Sequence, residues 1–290
     1  MDLSLIFQAL VLGILQGLTE FLPISSSAHL VLVPWLFGWN NTVISSLPFD
    51  VALHIGTLIS VLAYFANDWL RLVRAGISSI VERKIGKDPD RRLAWLIVIG
   101  SIPGAVVGAL AESQVEETFH APNAPVAQWA IIAIAVILAL LGLILFIAER
   151  AAKHIRSIAE LKFTDALLIG VAQALAIFPG VSRSGATITA GLLLNLKRDD
   201  AARFSFLLSA PIIAGAGLKG MYDVSKEIAA GQLDSSGLLL YGIGFAAAAV
   251  TGFLAIRFLL RYLRRNSTDI FVYYRWTLAV IIIVVALLRG

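Results

Sequence analysis

Six apolar stretches, about 49–67, 93–111, 128–148, 203–221, 238–258 and 271–288, recur along the 290-residue chain. Each is close to the roughly 20 residues that a helix needs to cross a hydrocarbon core about 30 Å thick. Hydrophobic residues make up 59% of the sequence and charged residues 14%, with a mean hydropathy of +0.86. Soluble domains carry about a quarter charged residues, so one soluble core has no way to hide this much apolar surface. A soluble enzyme is excluded, and the chain reads as an all-α polytopic membrane protein. There is no cysteine, which removes disulfides, thiolate metal sites and cysteine nucleophiles. The net charge of +4 reads as basic loops and not as nucleic-acid binding, since no basic stripe interleaved with aromatics is present. Asp2 stands where a cleavable leader would place a basic residue, so none is expected.

Two further apolar regions, 3–38 and 163–196, are broken in the middle. The first break is Phe21-Leu22-Pro23-Ile24-Ser25-Ser26-Ser27 and the second Phe178-Pro179-Gly180-Val181-Ser182-Arg183-Ser184-Gly185. Proline and clustered Ser/Gly stop a helix, and irregular backbone at membrane depth persists only where it is buried in protein or lines a polar cavity. Both regions are therefore expected to be re-entrant helical hairpins, added to six transmembrane helices. Basic residues concentrate in the loop 68–92 (Arg71, Arg74, Arg83, Lys84, Lys87, Arg91, Arg92), in Arg150 to Lys162, and in Arg257 to Arg265, which assigns those loops to the cytoplasm. The loop 112–127, with Glu112, Glu116 and Glu117, and the loop holding Asp223, Lys226, Glu227 and Asp234 fall outside. The first hairpin then dips in from the external face and the second from the cytoplasm.

Sliding the chain on itself by 157 residues aligns Gly13-Ile14-Leu15-Gln16 with Gly170-Val171-Ala172-Gln173, Phe21 with Phe178, Ser25 with Ser182 and Ser27 with Ser184. Ile99-Gly100 similarly matches Ile243-Gly244. A single membrane domain, residues 1–290, thus divides into a first repeat of about 1–150 and a second of about 160–290. Each repeat is a hairpin followed by three spans, an odd number, so the two halves are expected to be inverted in the membrane.

Hairpins entering from opposite faces can bring their tips together. Gln16 and Glu20 lie four apart, on one face of a helix, and an intramembrane carboxylate is costly enough to signal function. Ser26 and His29 are three apart and pair a hydroxyl with a candidate base. In the second break, Ser182, Ser184 and Thr187 offer hydroxyls at a helix start, and Arg183 offers a planar fork that suits phosphate oxygens. Blander readings stand beside these: a Ser run after Pro fits an N-cap, His29 fits a buried hydrogen-bonded histidine, and Glu20 fits a structural partner of Arg183. His54 and Asp50 are weaker candidates, Lys219 and Asp165 read as interface residues, and Trp35, Trp39, Trp129, Tyr222 and Trp276 read as a membrane-interface belt.

The strings Gln16-Gly17-Leu18-Thr19-Glu20-Phe21-Leu22-Pro23-Ile24-Ser25-Ser26-Ser27-Ala28-His29 and Pro179-Gly180-Val181-Ser182-Arg183-Ser184-Gly185-Ala186-Thr187 closely resemble the two signature motifs of the bacterial undecaprenyl-diphosphate phosphatase family, the bacitracin-resistance type. The resemblance implies hydrolysis of undecaprenyl diphosphate to undecaprenyl phosphate and inorganic phosphate, which recycles the lipid carrier for peptidoglycan and other envelope polymers. It implies a catalytic set of Glu20, Ser26, His29 and Arg183, with Gln16, Ser25, Ser27, Ser182, Ser184 and Thr187 binding substrate. It also implies a divalent cation, Mg²⁺ or Ca²⁺, held at Glu20. Family members often have Glu where this chain has Gln16, and a neutral amide is the weaker metal ligand. The expected setting is the bacterial cytoplasmic membrane with the site facing outward, the partners being the lipid substrate, the bilayer and a second copy of the chain in a homodimer. Two other readings remain open on the residues alone: a lipid-phosphate flippase or anion transporter, which shares the inverted-repeat architecture, and an intramembrane Ser–His protease, which leaves Glu20 and Arg183 without a role.

Overall fold

The computed structural model describes residues 2–119, 126–229 and 235–289. Among the described residues the chain is all-helical, with eleven α-helices and one isolated β-bridge. They are α1 (Leu3–Phe21), α2 (Ser26–Phe37), α3 (Leu47–Tyr64), α4 (Ala66–Val81), α5 (Pro89–Phe119), α6 (Gln128–Ala151), α7 (Phe163–Ala174), α8 (Arg183–Leu193), α9 (Arg198–Ala229), α10 (Ser235–Leu263) and α11 (Asp269–Arg289).

By length and composition, 7 of these are able to cross a membrane. Six of them, α3, α5, α6, α9, α10 and α11, coincide with the expected spans; the seventh is α1, the first limb of the first broken region, whose 19 residues reach spanning length. The remaining limbs, α2, α7 and α8, are too short to cross alone. Where a single cytoplasmic loop was expected over 68–92, the chain instead forms α4, joined to α3 at Phe65. Its apolar residues Leu70, Val73, Ile77 and Ile80 recur at helical spacing among Arg and Ser, a periodicity that the loop charges masked. The side chains of Glu112, Glu116, Glu117, Glu227 and Asp234 lie outside the described residues.

Both breaks arise in the same way. Leu22 turns extended and Pro23 follows, so α1 stops. Ser25 then adopts φ 75° and caps α2, its hydroxyl oxygen accepting from the Ala28 N–H. In the second region α7 tightens into a 3₁₀ turn over Leu175–Ile177, Gly180 takes φ 98°, and Ser182, at φ 71°, caps α8 by accepting from the Gly185 N–H. A left-handed non-glycine residue is uncommon, and here it occurs at both residues that the 157-residue shift superimposes.

The long helices meet through small residues, as membrane helices do when backbone-to-backbone approach is the main source of attraction. α1 packs on α10 and α7 on α5, while α3 packs on α9 and α6 on α11. At the first contact Gly13 lies against the Gly244 backbone, and at the second Gly170 lies against the Gly100 backbone. Trp276, expected at the membrane interface, instead packs between α6 and α11: its Nε1 donates to the Ala139 carbonyl at 3.1 Å and its ring covers Gly142. A Cβ at position 13 or 170 would run into a backbone carbonyl oxygen. Gly13→Ala and Gly170→Ala are each expected to cost about 1–3 kcal/mol through forced helix separation, read as lower thermal stability of the detergent-solubilised protein. Gly108, with open space where a Cβ would go, serves as the silent control.

Candidate active site

The two breaks face each other, and the polar residues they carry form one connected network. Glu20 is its centre. The carboxylate is 5% exposed, and each of its oxygens is engaged. Oε1 accepts from Arg183 Nη2 at 2.8 Å and Nε at 3.3 Å. Oε2 accepts from Ser26 Oγ at 2.6 Å and from Gln16 Nε2 at 3.1 Å. The spacing that predicted a shared face for Gln16 and Glu20 is thus realised as a hydrogen bond. His54 Nε2 stands 3.7 Å from Glu20 Oε2, and its Nδ1 lies 2.8 Å from the Asp50 carbonyl oxygen. A carbonyl only accepts, so Nδ1 carries the proton and Nε2 is the atom turned toward the carboxylate.

Arg183 opens α8 and reaches across to α1. Its Nη1 donates to the Ser205 carbonyl at 3.3 Å. With Nε and Nη2 on Glu20, three of the five guanidinium N–H groups are used and two are left. Thr187, one turn on, donates back to the Arg183 carbonyl at 2.8 Å and meets Ser205 Oγ at 2.6 Å. Ser184 Oγ donates to the Leu22 carbonyl at 3.0 Å, a direct bond from the second break to the first. Ser25 and Ser182 are the N-caps, and each cap hydroxyl lies 3.3 Å from the hydroxyl two residues on, Ser27 and Ser184 respectively.

His29 departs from the expected pairing. Its Nδ1 donates to the Ser25 carbonyl at 2.7 Å, and its Nε2 accepts from the Tyr274 hydroxyl at 2.7 Å. Ser26 is bonded to Glu20 and not to His29, although the two share a helix face; α2 begins at Ser26 with its hydroxyl turned toward α1, while His29, one turn deeper, is drawn to α11. Glu20 is thus the base within reach of the Ser26 hydroxyl. Ser205, Tyr274 and Arg275 were missed in the sequence. Arg275 left a readable signal, a cation inside an apolar span; Ser205 and Tyr274 left none, since hydroxyls are common in membrane helices. Asp165 is taken up by an ion pair with Arg156 at 2.6 Å and by the Lys162 N–H, away from this network.

Accessibility divides the site. Ser26, Ser27, His54 and Arg183 are partly exposed and mark its mouth, while Gln16, Glu20, His29, Ser184 and Thr187 are buried behind them. α2 and α8 begin at this mouth with Ser26 and Arg183, and the first N–H groups of a helix lack helical acceptors and carry the positive end of its dipole. The oxygen donors suit a hard cation in part. Gln16 Oε1 is buried with no hydrogen-bond partner, while Nε2 of the same amide donates to the Glu20 oxygen that also accepts from Ser26. No group of three His, Cys, Asp or Glu side chains comes together among the described residues. Such a site fits Mg²⁺ or Ca²⁺ that draws its remaining oxygens from water and phosphate, and does not amount to an all-protein cage.

Residues 9–281 match the family model of the bacitracin resistance protein BacA. The chain belongs to the BacA family. It is 49% identical to an undecaprenyl-diphosphatase of Desulforudis audaxviator, over 98% of this chain and 99% of that protein. It is 48% identical to an undecaprenyl-diphosphatase of Caldicellulosiruptor bescii, over 98% of each, and 46% identical to one of Thermomicrobium roseum, over 97% of this chain and 98% of the relative. Both BacA-type motifs of this chain fall inside the matched range.

Deleting the Glu20 carboxylate leaves the Arg183 guanidinium without its counter-charge in a largely buried setting. Glu20→Ala is therefore expected to lower stability by about 2–3 kcal/mol, and Glu20→Ala/Arg183→Ala to recover part of that loss, in thermal unfolding followed in detergent. A double variant no more stable than Glu20→Ala alone would show that the two charges are not coupled.

Proposed function

We propose that this chain is a membrane-embedded phosphatase that hydrolyses undecaprenyl diphosphate to undecaprenyl phosphate and inorganic phosphate. The single observation that carries the reading is the Glu20–Ser26–Arg183 constellation, assembled from the two motifs of a chain that matches proteins named undecaprenyl-diphosphatase along nearly their whole length. The family's description ties it to bacitracin resistance, in keeping with recycling of a lipid carrier for the envelope. The setting is the bacterial cytoplasmic membrane, with α1–α2 and α7–α8 as two re-entrant hairpins of an inverted repeat. Matching positive φ at Ser25 and Ser182, and the paired contacts Gly13–Gly244 and Gly170–Gly100, support that repeat. A mouth on the external side is part of this reading, in keeping with the loop charges.

The diphosphate enters at the mouth while the prenyl tail stays in lipid. The two spare N–H groups of Arg183 and the helix N-termini at Ser26 and Arg183 bind the transferring phosphoryl oxygens, where charge is concentrated in the transition state. Ser26 Oγ attacks the terminal phosphorus and its proton passes to Glu20 Oε2. The bond to the bridging oxygen breaks, and its electron pair leaves with undecaprenyl phosphate. Water then attacks the phosphoseryl phosphorus, the P–Oγ bond breaks, the Ser26 oxygen regains a proton, and inorganic phosphate departs. His29, anchored on Ser25 and Tyr274, holds the start of α2 in place. Glu20, Gln16 Oε1 and Ser26 would hold a divalent cation, which supplies charge neutralisation at the diphosphate when bound.

Phosphate release from undecaprenyl diphosphate in detergent tests this reading, because there a flippase or carrier releases none. Wild type is expected to release phosphate, with loss of activity on chelation and recovery with Mg²⁺ or Ca²⁺. Ser26→Ala and Glu20→Gln should each lower kcat by at least about 100-fold. Full turnover by Ser26→Ala would exclude the covalent route in favour of direct attack by water. Gln16→Ala is expected to raise the cation concentration giving half-maximal rate by about tenfold; an unchanged cation dependence would remove Gln16 from the cation site.

A further inference from the structure

Arg275, on α11, is 1% exposed and is among the largest fully buried side chains of the protein. Its guanidinium makes four hydrogen bonds, and all of them end on backbone carbonyls. Nε donates to Leu138 of α6 at 3.0 Å, Nη1 to Pro23 at 3.2 Å, and Nη2 to Gly180 at 2.8 Å and Val181 at 3.3 Å. Pro23 belongs to the first break, and Gly180 and Val181 to the second, so one planar cation ties the two interrupted helices to each other and both to the α6–α11 pair.

The placement has a direct electrostatic cause. Pro23, Gly180 and Val181 lie in the breaks, outside the helices on either side, so their carbonyls have no helical donor. Buried carbonyls need a donor, and here the guanidinium supplies it. A guanidinium satisfies carbonyls from two directions at once because its N–H groups diverge in a plane; an ammonium is a single point on a flexible stem. The surroundings are cut to fit it: a Cβ at Gly185 would stand 3.0 Å from Arg275 Nη1.

We propose that Arg275 is the positioning residue that sets the separation of the two half-sites, and that it acts on catalysis without touching the substrate. Pro23 lies three residues after Glu20 and three before Ser26; Gly180 and Val181 lie three and two before Arg183. The guanidinium therefore holds the backbone immediately behind all three members of the proposed reaction centre. It is sealed from the mouth that Ser26, His54 and Arg183 line. The catalytic part of this inference rests on the diphosphatase reading above; the geometric part does not.

The experiment uses the full-length protein in detergent and exploits the lack of native cysteine. Leu18 of α1 and Leu175 of the second limb, both exposed, are replaced by Cys and spin-labelled, and the distance distribution between them is measured in the parent and in Arg275→Lys and Arg275→Ala. Phosphate release is measured alongside. A narrow distribution is expected in the parent, with a shifted or broadened one in Arg275→Lys. The same variant should lose about 100-fold in kcat, as displacement of reacting groups by an ångström does, with KM changed by less than about threefold. Methylguanidinium is expected to restore part of the rate and narrow the distribution in Arg275→Ala, a rescue that general loss of structure would not allow. An Arg275→Lys protein with the parent distribution overturns the proposal, whether it keeps full kcat or loses it. So does one that fails to fold, which would make Arg275 a residue of the scaffold as a whole. A parent that releases no phosphate, with the distance still shifted in Arg275→Lys, would sink the diphosphatase reading and leave the clamp standing.

Discussion

A helix that stops inside a membrane leaves up to four carbonyls at its end and four N–H groups at the next start, with no water to take them. Among the described residues this chain interrupts its apolar helices twice, and much of the structure around the site satisfies the backbone groups that those interruptions leave. Carbonyls within the breaks are held by Arg275, at Pro23 and Gly180, and by the Ser184 hydroxyl, at Leu22. The capping hydroxyls of Ser25 and Ser182 each take one N–H of the following helix. The other first N–H groups of these helices have no helical acceptor. The breaks thus have side-chain donors on their carbonyls, while the helices that follow keep first N–H groups without helical acceptors, a feature that favours anions.

On this scaffold the two halves carry different chemistry. The shift of 157 residues places Ser25 on Ser182 and Ser27 on Ser184, the residues that shape each break, yet it places Glu20 on Ile177, Ser26 on Arg183 and His29 on Ala186. The shared positions make backbone; the divergent ones make the reaction centre. One half supplies the carboxylate and the hydroxyl, the other the cation, and they meet in the Glu20–Arg183 ion pair. At the mouth, Arg183 keeps two N–H groups beyond the three it uses, and Ser26 is hydrogen-bonded to Glu20. Two identical halves would have put like charges together, which a low-dielectric site tolerates poorly.

Much of the architecture was legible because membrane insertion is governed by local properties. Length and hydropathy of a segment determine whether it can span, and a helix long enough to span lies at each of the six expected stretches, with limits that differ by up to eight residues. The breaks were legible for the same reason, since Pro23, Pro179 and Gly180 act on their own backbone. The helix α4 was not legible in this way, because the Lys and Arg residues of 68–92 speak for a loop. In the site, Gln16, Glu20, Ser26 and Arg183 declared themselves as polar residues where polarity is expensive. Arg275 met the same criterion and was passed over, because it sits in an otherwise ordinary span with no motif around it.

The sequence by itself determined that this is a polytopic helical membrane protein with two interrupted helices, and which residues at those interruptions carry charge and hydroxyl groups. These follow from the cost of polarity and of broken backbone in hydrocarbon, which each segment meets alone. Only the tertiary structure decided which of those groups touch. It gave Ser26 to Glu20 and His29 to Tyr274, brought His54 to the carboxylate, and set Arg275 behind both breaks. Helical spacing says which residues share a face; the partner across that face depends on how α1, α3, α8 and α11 are packed around one another, and no local property encodes it.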